Sequence, residues 1–331
     1  MTRKNLARSS AAGVISISAL LLAACGGGGG GTAEGETPEV TMGVSAWIGY
    51  GMWHIAEDQE FDEANNVDLE VKSFDKGADR NAALLSGELQ AASMGAHYAL
   101  MLAEQDAPIT VVMAQDVSLA ADGIVARGDV KSVEDLKGKQ VAYEEGQTPD
   151  IMIHTALADH GMTIDDIEKI PMSASEAGAG FVSERVDVAV TYEPYLSEAK
   201  NAGGTVIYDA GEHPGLISDV LVIRNDYLES DPEAVTSLIK TFQSSYDYYG
   251  SNEEEGRQII AEAVGSDVES LSSAFDGLEY WDIAKNKEEM SGPYVEETLP
   301  VMIKSAVDAG ILESEPQDLN ALFDTSVIEQ A

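Results

Sequence analysis

From Val40 to about Tyr208 short apolar runs alternate with amphipathic stretches, and that alternation leaves few folds open. The pattern predicts strands over 40–44, 67–73, 89–93 and 109–114, with helices over about 50–65 and 78–85. Gly87 marks a helix stop, and Gly95 opens a helix running to about residue 104. The stretch 133–142 reads as a short helix, a glycine stop and a new strand, which begins a second βα series. That series adds helices over about 149–160, 176–184 and 193–201 and a strand over 187–191, and beyond Asp231 the chain turns predominantly helical. Strands and helices in this order predict an α/β protein. An apolar strand followed by Arg-x-Asp occurs twice, at 124–129 and 221–226, on either side of the second series. Such an echo fits two strands that enter and leave an inserted domain.

Ahead of the alternation stand Arg3, Lys4 and Arg8, an apolar run over about 11–24, and Leu22-Ala23-Ala24-Cys25. The apolar run is too short to span a bilayer, which takes about 20 residues, and it has the layout of a secretory signal. The tetrad resembles the bacterial lipoprotein signal, in which the cysteine carries the lipid. Cys25 is the only cysteine among 331 residues, so the chain beyond it has none for a disulfide, a thiolate nucleophile or a cysteine metal site. The glycine run at 26–31 and the polar residues up to Pro38 read as a flexible tether. About 300 residues remain for the folded body, enough for two domains with their own cores. Beyond residue 24 stand 16 Lys and Arg against 59 Asp and Glu, a balance that excludes nucleic acid as a partner. The acids are spread along the chain, as on a solvated surface suited to salty surroundings.

Four segments together resemble one family, the extracytoplasmic solute-binding proteins for nitrate, taurine, aliphatic sulfonates and the thiamine pyrimidine. They are Gly77-Ala78-Asp79 leading into Ala82-Ala83-Leu84-Leu85-Ser86-Gly87, Asp135-Leu136-Lys137-Gly138-Lys139-Gln140-Val141-Ala142, Asp187-Val188-Ala189-Val190-Thr191-Tyr192-Glu193-Pro194-Tyr195, and Ser218-Asp219-Val220-Leu221-Val222-Ile223-Arg224. Gln90, where the family usually has Asp, and Glu184-Arg185 before Asp187 depart from the pattern. The resemblance implies a two-lobed periplasmic-binding-protein fold of type II, with two hinge crossovers and a ligand cleft between the lobes. On that reading, 1–24 is the lipoprotein signal peptide and 25–39 the tether. Residues 40–127 with 220–331 form lobe 1, 128–219 form lobe 2, and Arg127 and Arg224 stand at the ends of the crossing strands. The partners implied are a small-molecule solute, an ABC permease and its ATPase, and the cell membrane through a lipid on Cys25. The protein would act outside the cytoplasm as a monomer, without a cofactor or metal.

Clefts in α/β folds collect ligands at the carboxyl ends of strands, where helix N-termini offer free N–H groups. Trp47 and Tyr50 follow the first strand; Met94, Ala96 and His97 bracket the Gly95 helix start. Gln147 and Thr148 precede Pro149, a sequence that predicts Thr148 as N-cap and the proline as first helical residue. Tyr192 and Glu193 end a buried strand, and Trp281 belongs to the C-terminal portion expected over lobe 1. For Asp219 the resemblance to taurine binders implies a partner for an amine. Helix N-termini for an anion, with carboxylates and aromatic faces for a cation, suit a small zwitterion such as taurine or another aminosulfonate. A pyrimidine stacked between Trp47 and Tyr192, or nitrate, is the alternative within the family. Other classes are a pyrimidine-synthase-like enzyme and a lipid-anchored sensor. Against an enzyme, His54, His97, His154, His160 and His213 lack metal-ligand spacing, and no Ser-His-Asp or phosphate-loop signature occurs.

Overall fold

The computed structural model describes residues 37–331 apart from 273, 291, 309, 317, 318, 320 and 321. The expected signal peptide, Cys25 and all of the tether up to residue 36 lie outside the described residues. In chain order the elements are β1 (Glu39–Val44), α1 (Gly51–Asp58), α2 (Phe61–Ala64), β2 (Asp68–Ser73), α3 (Gly77–Ser86), β3 (Ala91–Gly95), α4 (Ala96–Glu104), β4 (Ile109–Ser118) and β5 (Asp122–Ala126). There follow β6 (Gln140–Tyr143), α5 (Thr148–Asp159), β7 (Glu168–Pro171), α6 (Ala174–Val182), β8 (Val188–Tyr192), α7 (Tyr195–Asn201), β9 (Thr205–Asp209) and β10 (Ser218–Arg224). The rest is α8 (Asn225–Ser230), α9 (Pro232–Ser251), α10 (Glu253–Ala263), β11 (Leu278–Tyr280), α11 (Ile283–Glu289), α12 (Leu299–Asp308) and α13 (Ser326–Gln330).

These strands form two sheets, six strands in the order β11-β4-β10-β3-β1-β2 and five in the order β7-β6-β8-β5-β9. Within each, the βαβ units pair in parallel: β1 with β2 and β3, and β6 with β7 and β8. β10 joins the first sheet antiparallel between β3 and β4, and β5 joins the second antiparallel between β8 and β9. β3, β4 and β5 are buried along their whole lengths, as strands covered on both faces by helices must be. The helix ends follow the sequence chemistry: α3 stops at Gly87, whose φ of 88° suits a residue without a Cβ.

Sheet membership differs from the sequence expectation at both crossings. β5 was expected in lobe 1, but Ala126 pairs with Val188 and Ile124 with Val190, so the strand belongs to the second sheet. Its side chains explain this, since Val125 packs into the small core with Phe181 and Leu196 while Ile124 and Ala126 face the other way. Ser218 and Asp219 likewise belong to the first sheet. The chain therefore crosses between sheets at 119–121 and 210–217, and the two Arg-x-Asp strands are not the crossings. Arg127 stacks 3.9 Å over the Phe181 ring within the second lobe, and Arg224 is paired with Asp226. The single helix expected over 50–65 is broken, with Glu60 in the left-handed region ahead of α2.

Candidate functional site

The parallel strands of both sheets end at one enclosed cavity. Its lining comes from the segment after β1 (Ser45, Trp47, Tyr50), the start of α3 (Gly77, Arg80), the end of β3 (Gly95), β5 (Asp122), the β6–α5 loop (Glu144, Gln147, Thr148), the end of β8 (Tyr192) and the start of β10 (Ile217, Asp219). About 30 Å3 stands open, room for little more than a water, so a larger solute requires the two walls to part. The walls touch through aromatics: Trp47 and Tyr192 meet edge to face, with ring centroids 5.4 Å apart.

On the first wall the strand register creates an unusual charge arrangement. Asp219 of β10 stands directly opposite Asp116 of β4, and the pairing then skips Gln115, a β-bulge between Asp116 and Ala114. Bulges re-aim neighbouring side chains, and this one is held firmly. Trp53 Nε1 and Ser93 Oγ both donate to Gln115 Oε1, Trp281 N donates to Gln115 O, and Asn286 bonds both the N–H and the carbonyl of Ala114 at 2.8 Å. Two carboxyls opposite each other on adjacent strands repel when both are ionised. Both are buried, and Asp122 of the second wall stands within electrostatic range of the pair.

Burial dominates the titration of this cluster and favours the protonated carboxyls. It pushes Asp122 up to about 8. Asp219 is pushed up to about 6, restrained by the Tyr50 hydroxyl that donates to its Oδ1 at 3.0 Å and by the Arg80 charge. Asp116 is held well above the usual carboxylate range by burial and then by the Asp219 charge. Neither Asp116 oxygen nor Trp47 Nε1 makes a hydrogen bond of ordinary geometry, although the indole and the Asp219 carboxyl lie beside Asp116. Asp122 Oδ2 is also without a partner.

The one cationic side chain lining the cavity is Arg80, 2% exposed. Its Nη1 donates to Ser45 Oγ and its Nε to Asn81 Oδ1, each at 3.2 Å, while Nη2 has no partner. It makes no ion pair with a described carboxylate at salt-bridge distance. A buried guanidinium with a free donor is an anion receptor. Near it stand the N-termini of α4 and α5, neither capped by a side chain. The cavity lining thus holds an unpaired acceptor, Asp122 Oδ2, and unpaired donors, Arg80 Nη2 and Trp47 Nε1.

Of the expected residues, Trp47, Tyr50, Gln147, Thr148, Tyr192 and Asp219 line this cavity. The others do not. Met94 is wholly buried in the core, and Ala96 is buried at the first turn of α4. His97 is buried behind Gly95, and burial lowers it to about 4, leaving a neutral ring bonded to the Gln147 backbone. Glu193 turns away to accept the N–H of Ser197 at 2.9 Å, and Trp281 packs edge to face on Tyr294. Thr148 is the first helical residue of α5 and Gln147 the N-cap, one position before the expected cap. The sequence reading missed Arg80, Glu144, Asp122 and Asp116.

Among the described residues, no group of three or more His, Cys, Asp and Glu is arranged to hold a metal ion, and no helix is long and apolar enough to cross a membrane. Two α/β lobes, each ending its parallel strands at a shared polar cavity, define the periplasmic-binding-protein fold of type II. The sequence matches the family described as NMT1/THI5 like over residues 51–255, and the chain belongs to that family. It is similar to the taurine-binding periplasmic protein of Escherichia coli, 24% identical over 245 residues that cover 71% of this chain and 76% of the relative. Its fold is similar to the ligand-binding component of an ABC-type import system from Staphylococcus aureus, solved with zinc bound, with a TM-score of 0.73 at 13% identity over 89% of this chain and 99% of the other. It is also similar to that of the desulfurization enzyme DSZB, with a TM-score of 0.62 at 12% identity over 88% and 98% of the two chains.

Proposed function

We propose that the protein is the extracytoplasmic, lipid-anchored solute-binding component of an ABC importer, and that its solute carries both an amine and an anionic group, as taurine and related aminosulfonates do. One observation carries the reading: the enclosed cavity is lined by Arg80, whose Nη2 has no partner, by two helix N-termini and by the buried carboxyls of Asp122 and Asp219, with the Asp116 carboxyl beside Asp219 outside the lining. An ammonium group brings N–H donors to the unpartnered Asp122 Oδ2 and to the Asp219 carboxyl, and a sulfonate or carboxylate brings acceptors to Arg80. The likeness to a taurine-binding protein and to an ABC import component supports the same reading. Nitrate has no donor to offer the carboxyls. A pyrimidine stacked between Trp47 and Tyr192 would have to separate rings that touch edge to face. For an enzyme, the cavity presents no nucleophile paired with a base, its nearest histidine being the buried His97 behind Gly95.

Function then follows from closure. Asp219 and Arg80 stand on one lobe and Asp122 on the other, so a solute bridging them draws the walls together and shifts the population toward the closed shape a permease recognises. Calorimetry with taurine, ethanesulfonate, nitrate and a pyrimidine tests the assignment. Taurine or another aminosulfonate is expected to bind and the others to bind at least tenfold more weakly; no binding by any amine-bearing member of the panel would overturn it.

A further inference from the structure

Glu144 lines the same cavity as the aspartates, and its carboxylate sits on two helix N-termini, where an anion would otherwise sit. It follows β6 on the second lobe, half-buried. One oxygen accepts the N–H of Gly77, the first residue of α3 on the opposite lobe, and the other accepts the N–H of Ala174, the first residue of α6, each at 3.2 Å. Helix N-termini attract anions through free N–H groups and the helix dipole, and here two of them converge on one carboxylate. The approach is close, since a Cβ on Gly77 would fall 2.2 Å from the Gln147 side-chain amide. Arg80, one turn into α3, lines the same cavity, and its Nη2 has no partner.

We infer that Glu144 is a resident anion that sets the specificity of the cleft: by filling the N-termini of α3 and α6 it refuses solutes that are anionic without an amine. This rests on the reading of the cavity as a solute cleft. A sulfonate approaching those N-termini meets a carboxylate already bonded to them, and only a solute whose ammonium engages the aspartates offsets that repulsion. The anionic end is left with Arg80 and the N-termini of α4 and α5.

The test compares ethanesulfonate and taurine on the wild type, Glu144→Gln, Glu144→Ala and the control Glu145→Gln, which removes an adjacent exposed charge. Thermal unfolding accompanies each titration. Ethanesulfonate is expected to bind both Glu144 variants about tenfold or more tighter than the wild type, with Glu145→Gln unchanged. The inference is overturned if ethanesulfonate affinity is unchanged in a folded Glu144→Gln protein, or if taurine and ethanesulfonate shift by the same factor. Failure of taurine to bind the wild type would count against the proposed solute; Glu144 is then decided by the change in ethanesulfonate affinity between the wild type and the Glu144 variants.

Discussion

The two walls of the cleft differ in how their polar groups are held. On the first, Asp116, Arg80 and Trp47 keep atoms that find no partner within their own lobe. On the second, most polar groups arrive already tied: Glu193 to the Ser197 N–H, Thr191 to the Ala174 carbonyl, Glu144 to two helix N-termini. Asp122 Oδ2 is unpaired there, as are the Tyr143 hydroxyl and Ser197 Oγ further inside the lobe, and of these three residues Asp122 alone lines the cavity. Unsatisfied buried groups cost stability, so a fold keeps them where a ligand will satisfy them. On the proposed reading the first wall supplies most of the recognition, joined by Asp122, and the second closes and filters.

The same chemical change on the two walls should break this symmetry most sharply. Asp219→Asn is expected to weaken taurine binding about a hundredfold by calorimetry, the scale of removing one member of a buried charge pair. Glu193→Gln should stay within about threefold, because that carboxylate is spent inside its own lobe. Equal losses would erase the distinction between the walls.

Acidity gives the next effect. The carboxyls of the unliganded cluster hold protons that an ammonium displaces, so affinity for taurine should rise as pH increases from 5 to 8, through the value of about 6 for Asp219 and toward about 8 for Asp122. Calorimetry in buffers of different ionisation enthalpy should register net proton release at pH 7. Stability of the protein alone runs the other way. For a carboxyl raised on folding, the stabilisation is complete below the unfolded value and is lost as pH climbs through the folded one, here between about 4 and 8 for Asp122. Asp122→Asn should therefore raise Tm at pH 8 by roughly 2–4 °C and flatten its pH dependence. A smaller loss than that of Asp219→Asn belongs to Tyr50→Phe, which removes one hydrogen bond to Asp219 and should weaken taurine about fivefold.

Much of the site was legible because strand ends announce themselves. Trp47, Tyr192 and Asp219 flank or belong to apolar runs, and Gln147-Thr148-Pro149 spells a helix start, so fold logic alone brings them to one place. Arg80 was hidden as one polar residue in the first turn of an amphipathic helix, where solvent is the ordinary expectation. Its burial comes with tertiary neighbours, Ser45 and the Gly43 backbone of β1, that no local pattern announces. Asp122 and Glu144 were two acids among 59, with nothing local to set them apart. The apolar run that predicts this strand stops at Ala114, short of Asp116; β4 continues to Ser118, wholly buried, because the bulge at Gln115 and the Asn286 clamp carry it past a polar pair. The crossings were misplaced for a related reason: β5 reads as one apolar strand like any other, and only its partners β8 and β9 show which sheet owns it.

The central claim is that the cleft pairs an ammonium group with buried aspartates. Mass spectrometry of the solute released when protein purified from its native host is denatured tests it most directly. The account predicts a small molecule bearing both a basic amine and an acidic group; recovery of nitrate, an alkanesulfonate without an amine, or a pyrimidine would contradict it.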